Sequence, residues 1–246
     1  SIVLAAIGLK LGAYGFLRFS LPIAPDASHE LSSFVIALSL IAVVYIGFVA
    51  LVQADMKRLV AYSSIAHMGF VTLGFFMFTP LAVEGAIVQM ISHGFVSAAM
   101  FLCVGVMYDR MHSRLIGDYG GVVNTMPRFA SLFMLFAMAN SGLPGTSGFV
   151  GEFLIFRGAW GLHPVATSVA TLGLLGTALF LLTFWQRVFH GPARGAGIGF
   201  ADVTGRERLV LALLAALMLL FGVLPGLLTN LFNPLVTAWA GHLTLP

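Results

Sequence analysis

The chain has one cysteine, Cys103, in 246 residues. A disulfide needs two thiols and a thiolate-ligated cluster held by one chain needs more, so both are excluded as products of this chain alone. Cys103 sits in an apolar stretch and reads as packing. Charge is also scarce: Asp, Glu, Lys and Arg together make up 9% of the residues. No G-x-G-x-x-G follows a strand-like run, so the glycines are for packing or breaking helices and no nicotinamide or flavin fingerprint is present. No clustered His/Cys/carboxylate spacing suggests a metal site. The first apolar run has no charged n-region and no small-residue cleavage site, and it carries Lys10 in its middle, so it does not read as a signal peptide. The chain is expected to start inside a larger protein.

What is present is oil. Hydrophobic residues make up 59% of the chain and the mean hydropathy is +1.02, the composition of a polytopic membrane protein. The apolar runs are long and lack the alternation of barrel strands, and a spanning backbone must satisfy its own amides, so the fold class is an all-α membrane bundle. At about 20 residues per crossing, the sequence predicts seven transmembrane helices, near 1–19, 33–52, 59–79, 84–107, 129–160, 166–189 and 208–230. Residues 1–230 form one transmembrane helical bundle and 231–246 a non-cytoplasmic C-terminal tail.

Topology follows Lys and Arg rather than net charge. Lys57, Arg58, Arg110, Arg114, Arg128, Arg187, Arg194, Arg206 and Arg208 fall on one side, and only Arg18 and Arg157 on the other. The loops around 53–58, 108–128 and 187–208 are therefore expected at the cytoplasmic face or its equivalent. This bias accounts for the basic isoelectric point, and no nucleic acid is needed as partner. An interfacial ion pair among Asp55, Lys57 and Arg58 is expected to anchor the first of these loops.

Four ionisable side chains lie inside apolar stretches: Lys10, His67, His93 and Glu152. A charge at the bilayer centre costs about 2.5–3.5 kcal/mol even on lenient scales, so such groups face a polar path inside the bundle. Each has a plainer reading. Lys10 could snorkel, each histidine could be a bonded packing residue, and Glu152 could face a loop and pair with Arg157. Against these stand hydroxyls beside both histidines (Ser63, Ser64, Ser92 and Ser97) and the segment Gly142, Pro144, Gly145, Gly148, Gly151, which breaks a helix too long for one span near 142–148. Such breaks survive at membrane depth only where freed backbone lines a cavity or buries against protein, and in transporters they mark the ion site.

The blocks GLKLGAYGFLRFSLP, QADMKRLVAYSSIAHMGF, VQMISHGFVSAAMFLCVGVMYDRMHSR and NSGLPGTSGFVGEF, in that order, resemble the antiporter-like subunit M family of respiratory complex I, the bacterial counterpart of mitochondrial NADH dehydrogenase subunit 4. The resemblance covers almost the whole chain and is weakest over about the last 50 residues. It implies a position from part-way into the eighth of fourteen core helices to the fourteenth, containing the second inverted repeat of an antiporter-like fold. By motif, Lys10 resembles the central lysine of helix eight, His67 and His93 the histidines of helices ten and eleven, and Glu152 the carboxylate of broken helix twelve. Related subunits commonly carry lysine at that last position, so glutamate favours the M type.

The resemblance implies proton transfer from Lys10 through His67 and His93 to Glu152. Low dielectric disfavours the charged form of acids and bases alike, which draws these types toward a common range. NAD, FMN, iron–sulfur clusters and quinone are expected in partner subunits and no cofactor or metal in this chain. L-type and N-type antiporter-like subunits are expected as flanking partners, with membrane lipids around them, in a bacterial inner membrane. Two rivals remain at this stage: a subunit of a Na⁺(K⁺)/H⁺ antiporter or membrane-bound hydrogenase, and a passive scaffold whose buried charges only lock helices.

Overall fold

A computed structural model describes residues 2–192 and 200–243, with side chains described through Trp239. Arg194, counted above among the basic-side residues, lies outside the described residues. The helices are α1 (Leu4–Ile23), α2 (Pro25–Glu30), α3 (Ser32–Leu51), α4 (Met56–Phe75), α5 (Pro80–Met111), α6 (Val122–Thr125), α7 (Pro127–Asn140), α8 (Ser147–Trp160), α9 (Pro164–Phe189), α10 (Gly205–Val223) and α11 (Gly226–Leu243). Among the described residues there is no β-strand, only an isolated bridge between Asp55 and Leu115.

The ends of these helices follow local chemistry. Asp55 caps α4 by accepting from the backbone N–H groups of Lys57 and Arg58 at 2.7 and 3.1 Å. That carboxylate is thus a helix cap rather than the ion-pair partner expected for Lys57 and Arg58, because the first free amides of a helix are nearer donors than two long flexible side chains. Thr79 and Pro80 open α5, and a reciprocal Thr204/Glu207 capping box opens α10. No side chain of its own caps α7; instead Asp202, more than 70 residues downstream, accepts from the Arg128 and Phe129 amides.

Helix α5, with 32 residues and so about 48 Å long at roughly 1.5 Å per residue, is the axis of the bundle and packs against α1, α4, α7, α8, α10 and α11. Its closest approach is to α8. A Cβ placed on Gly85 would lie 2.8 Å from the Gly151 carbonyl oxygen, and one on Gly151 would lie 2.7 Å from the Gln89 backbone nitrogen. The two backbones are in contact, as small residues permit between membrane helices. Cys103 is fully buried in the core of this bundle.

Four helices, α1, α3, α5 and α9, are long and apolar enough to cross a membrane singly; α10 and α11, bent by 62° at their junction, qualify as a pair and raise the number to five. The expected count of seven is therefore not reached by length and composition among the described residues. Two features account for the shortfall. Helix α4 has 20 residues but carries Lys57, Arg58, Ser63, Ser64 and His67 among them, and the 129–160 stretch is divided into two half-length helices. The last expected span is also cut short: α10 ends at Val223, and residues 226–243 form a separate helix packed on α5, so the boundary placed at 230 falls inside α11.

The three basic loops meet at one end of the bundle. The Met56 amide donates to the Arg114 carbonyl at 2.9 Å, Ile116 to Ala54 at 2.8 Å, and Gly121 to His190 at 3.2 Å. Tyr119 donates its hydroxyl to the Met107 and Ser113 carbonyls; burial and the adjacent Asp118 push its phenol up to about 12, so it stays a neutral donor at physiological pH. The strongest clasp is Arg110, which forks onto both Glu207 oxygens at 3.2 and 2.9 Å and also donates to the Ala201 carbonyl at 2.9 Å. Replacing Arg110 with Ala is expected to lower the stability of the solubilised protein by about 2 kcal/mol. Arg110→Lys should recover only part of this, since an ammonium cannot fork; thermal unfolding in detergent reads both variants.

Candidate functional site

The broken helix is built by glycine. Helix α7 ends in a Schellman motif, with the Leu143 amide bonded to Met138 and the Gly142 amide to Ala139, at 3.1 and 3.2 Å. That closure requires a left-handed residue, and Gly142 supplies it at φ +80°. Gly145 turns the chain again at φ +91° before α8 begins at Ser147. Of the five helix-breaking residues expected from sequence, Gly142, Pro144 and Gly145 lie in the break, whereas Gly148 and Gly151 are inside α8 and serve close packing. The junction is covered by α10, where Gly222 meets the Gly145–Thr146 backbone with no room for a Cβ.

This break presents Glu152, on the second turn of α8, to the interior. Glu152 is 2% exposed. Its Oε1 accepts from His67 Nδ1 at 3.1 Å and from Gln89 Nε2 at 3.1 Å, so it does not face a loop toward Arg157. Oε2 has no protein partner and points at the break, 2.8 Å from where a Gly142 Cβ would stand. The His67 ring lies 5.6 Å from that of His93, centroid to centroid. His93 Nδ1 is 2.7 Å from Lys10 Nζ, which also donates to the Ala5 carbonyl at 2.7 Å, within a π-helical turn at Leu4–Gly8. All four side chains singled out from sequence therefore form one file across four elements, in the order Lys10, His93, His67, Glu152.

That order differs from the expected one, in which His67 precedes His93. The packing of α5 against both α1 and α4 puts His93 beside Lys10 and leaves His67 beside Glu152. The histidines are nearly fully buried, while Lys10 is half-buried beside a cavity of about 450 Å³ lined in part by Ile7, Gly94, Phe95 and Leu214. The neighbouring hydroxyls do not bond to the imidazoles. Ser63 and Ser64 donate to the Val60 carbonyl, Ser92 pairs with Ser147 across the break, and Ser97 has no protein partner.

Sequence reasoning missed two groups. Gln89, four residues before His93 and hence on the same face of α5, holds Glu152 Oε1; its signal was an amide inside an apolar run, one turn from a buried histidine. Glu84, on the same helix, is 5% exposed and accepts from Asn233 of α11 at 3.4 Å.

With Glu152 as a carboxylate, His67 Nδ1 holds the shared proton and its Nε2 is bare; with Lys10 as an ammonium, it donates to His93 Nδ1 and the His93 proton sits on Nε2. Both Nε2 atoms are buried without a protein partner. In that pair of charge states the His93 Nε2 carries a proton and the His67 Nε2 can accept one.

Residues 1–179 match the family described as NADH:quinone oxidoreductase/Mrp antiporter, transmembrane. The chain belongs to this family. It is a multi-pass membrane protein, and the resemblance to subunit M holds among its relatives. It is 52% identical over 237 residues to NADH-quinone oxidoreductase subunit M of Rhodobacter capsulatus, covering 96% of this chain and 46% of the relative. It is 42% identical to NADH-ubiquinone oxidoreductase chain 4 of Marchantia polymorpha, covering 98% of this chain and 49% of the relative. The chain thus spans about half the length of the relatives it matches. Among solved structures it superposes on a chain of respiratory complex I from Thermus thermophilus with a TM-score of 0.91 at 33% identity, covering 98% of this chain and 51% of that one. It shares the fold of a chain of the Mrp complex from Dietzia, with a TM-score of 0.77 at 22% identity, covering 95% and 51%.

If Gln89 holds Glu152 for proton exchange, Gln89→Leu lowers proton transfer through the subunit without preventing assembly. Adding Glu152→Gln to it should then lower the rate no further than Glu152→Gln alone, because both act on one group. A proton-flux double-mutant cycle in membrane vesicles checks this; fully additive losses are the contrary result.

Proposed function

We propose that the chain forms the second proton-transfer half of an antiporter-like subunit in a proton-translocating NADH:quinone oxidoreductase, a translocase in which this subunit does no redox chemistry. The observation that carries this reading is the Lys10–His93–His67–Glu152 file, which runs from half-buried Lys10 into the bundle and ends at a broken helix. Lys10 passes a proton to His93 Nδ1. His93 releases the proton on its Nε2 toward the bare Nε2 of His67, and His67 gives its Nδ1 proton to Glu152 Oε1. Each step moves one proton, and the file ends with a neutral lysine and a neutral carboxylic acid, so no isolated charge is left in the low dielectric. Resetting the file requires each ring to return to its starting tautomer. The 5.6 Å between ring centroids makes the His93–His67 gap the step where geometry or an intervening water controls transfer.

The relatives' names support the rest of the reading: subunits of NADH-quinone oxidoreductases imply NAD, FMN, iron–sulfur clusters and quinone in partner subunits, with L-type and N-type antiporter-like subunits on either side. Bacterial relatives and the collection of basic loops at one end support a bacterial inner membrane with that end in the cytoplasm. Coupling to the redox arm then arrives as charge and packing from the neighbouring subunit, with no covalent step here.

In assembled complexes, Glu152→Gln and Lys10→Ala are each expected to reduce proton translocation through this subunit to about a tenth or less, since positioned proton carriers contribute at least that much. Proton uptake by vesicles driven by NADH measures it. Normal pumping by either variant in a fully assembled complex overturns the file as the path and leaves the buried charges as helix locks. Cation-dependent flux that persists without NADH favours the Mrp-like reading, to which the shared fold is the pointer.

A further inference from the structure

Away from the proton file, two exposed apolar stripes run to one cleft at the basic end. On α9, Leu172, Leu175, Leu179 and Leu182 are exposed at alternating spacings of three and four residues, and Gln186 continues the row. On α3, Leu38, Ile41, Tyr45 and Phe48 do the same, and Val52 just past its C-terminal end continues the row. A row with that spacing is one face of a helix. The two helices pack directly together, where a Cβ on Gly173 would run into Val43, and both point their C-terminal ends at the basic loops. Beyond the ends of both stripes lies a cavity of about 530 Å³, lined in part by Gln53, Gln186, Arg187 and His190.

The chemistry of this cleft is that of a phosphate receptor. Arg187 forms no ion pair or hydrogen bond among the described residues, in contrast to Arg110 at the same end. The Nε2 of His190 accepts from Trp185 Nε1 at 3.0 Å, so the neutral ring carries its proton on Nδ1 and is a donor as well. The Gln186 amide adds a further donor, and the Gln53 amide, which gives one N–H to the Val49 carbonyl at 2.9 Å, has a second. From Leu175 to Gln186 is 11 residues, about 16 Å at 1.5 Å per residue, close to half of the roughly 30 Å hydrocarbon thickness, that is, one leaflet.

We infer that this cleft binds an anionic phospholipid, its phosphate held by Arg187 and the donors around it and its acyl chains laid along the α9 and α3 stripes. A free anion would use the cleft and leave both stripes bare; a neutral lipid would cover the stripes and leave the guanidinium without a counter-charge. Basic pockets between membrane helices on the cytoplasmic side take anionic headgroups for this reason. The site is independent of the proton file and makes no use of Lys10, His67, His93 or Glu152.

The test uses the full-length subunit in its detergent-extracted membrane complex, exchanged into phosphatidylglycerol or phosphatidylcholine micelles and read by native mass spectrometry. Phosphatidylglycerol is expected to be retained over phosphatidylcholine. Arg187→Gln should lower that retention about fivefold, the effect of one surface cation on an anionic lipid, and Arg187→Lys should keep most of it. Equal retention of the two lipids, or an unchanged Arg187→Gln, overturns the proposal. So does displacement of the bound lipid by inorganic phosphate alone, which would show an anion site without acyl contacts. A photoreactive residue at position 182 should crosslink to lipid; its capture of another subunit instead would make this face a protein interface and end the lipid reading.

Discussion

Burial of ionisable groups in a low-dielectric bundle is the constraint from which the site follows. An unpaired carboxylate, imidazolium or ammonium in that environment costs several kcal/mol, so each must find a partner of complementary donor character. Glu152 finds His67 and Gln89, and His93 finds Lys10. Pairing of this kind locks helices together, and every partner in it is itself titratable or polar. The contacts that hold the helices are therefore the same ones on which the proposed proton route depends.

Helix α5 is what lets those contacts form. It carries Gln89 and His93 on one face and meets α8 through glycines at both backbones, which brings Glu152 within reach of an amide only two turns away on the neighbouring helix. A larger residue at Gly85 or Gly151 would separate the helices by the width of a methyl group and the Gln89–Glu152 bond with it. The break before α8 acts in the same direction: its left-handed glycines end α7 early, and Glu152 then sits on a fresh helix with one oxygen aimed back at the gap.

The outer surface follows a different rule. Where α1, α3, α9 and α10 face outward they carry large apolar side chains, and most of the basic residues among those described sit in, or at the helix ends beside, loops that bond to one another at one end. That end is fastened by neutral and charged hydrogen bonds from Tyr119, Asp202 and Arg110, which fix the ends of α5, α7 and α10. The file of buried ionisable groups in the interior is thus flanked at one end by a hydrogen-bonded polar rim.

Much of this was legible in the residues alone. The helical class, the single-sided basic loops, the break around 142–148 and the identity of Lys10, His67, His93 and Glu152 all follow from composition, Lys/Arg placement, glycine–proline punctuation and the rarity of charge in oil, since these are local or additive properties of a chain. The order of the two histidines, the hold of Gln89 on Glu152 and the burial of Glu84 against α11 belong to the tertiary structure. They depend on which helix faces lie together and at what distance, and those distances are set by packing between segments 60 to 150 residues apart, where a linear pattern holds no information.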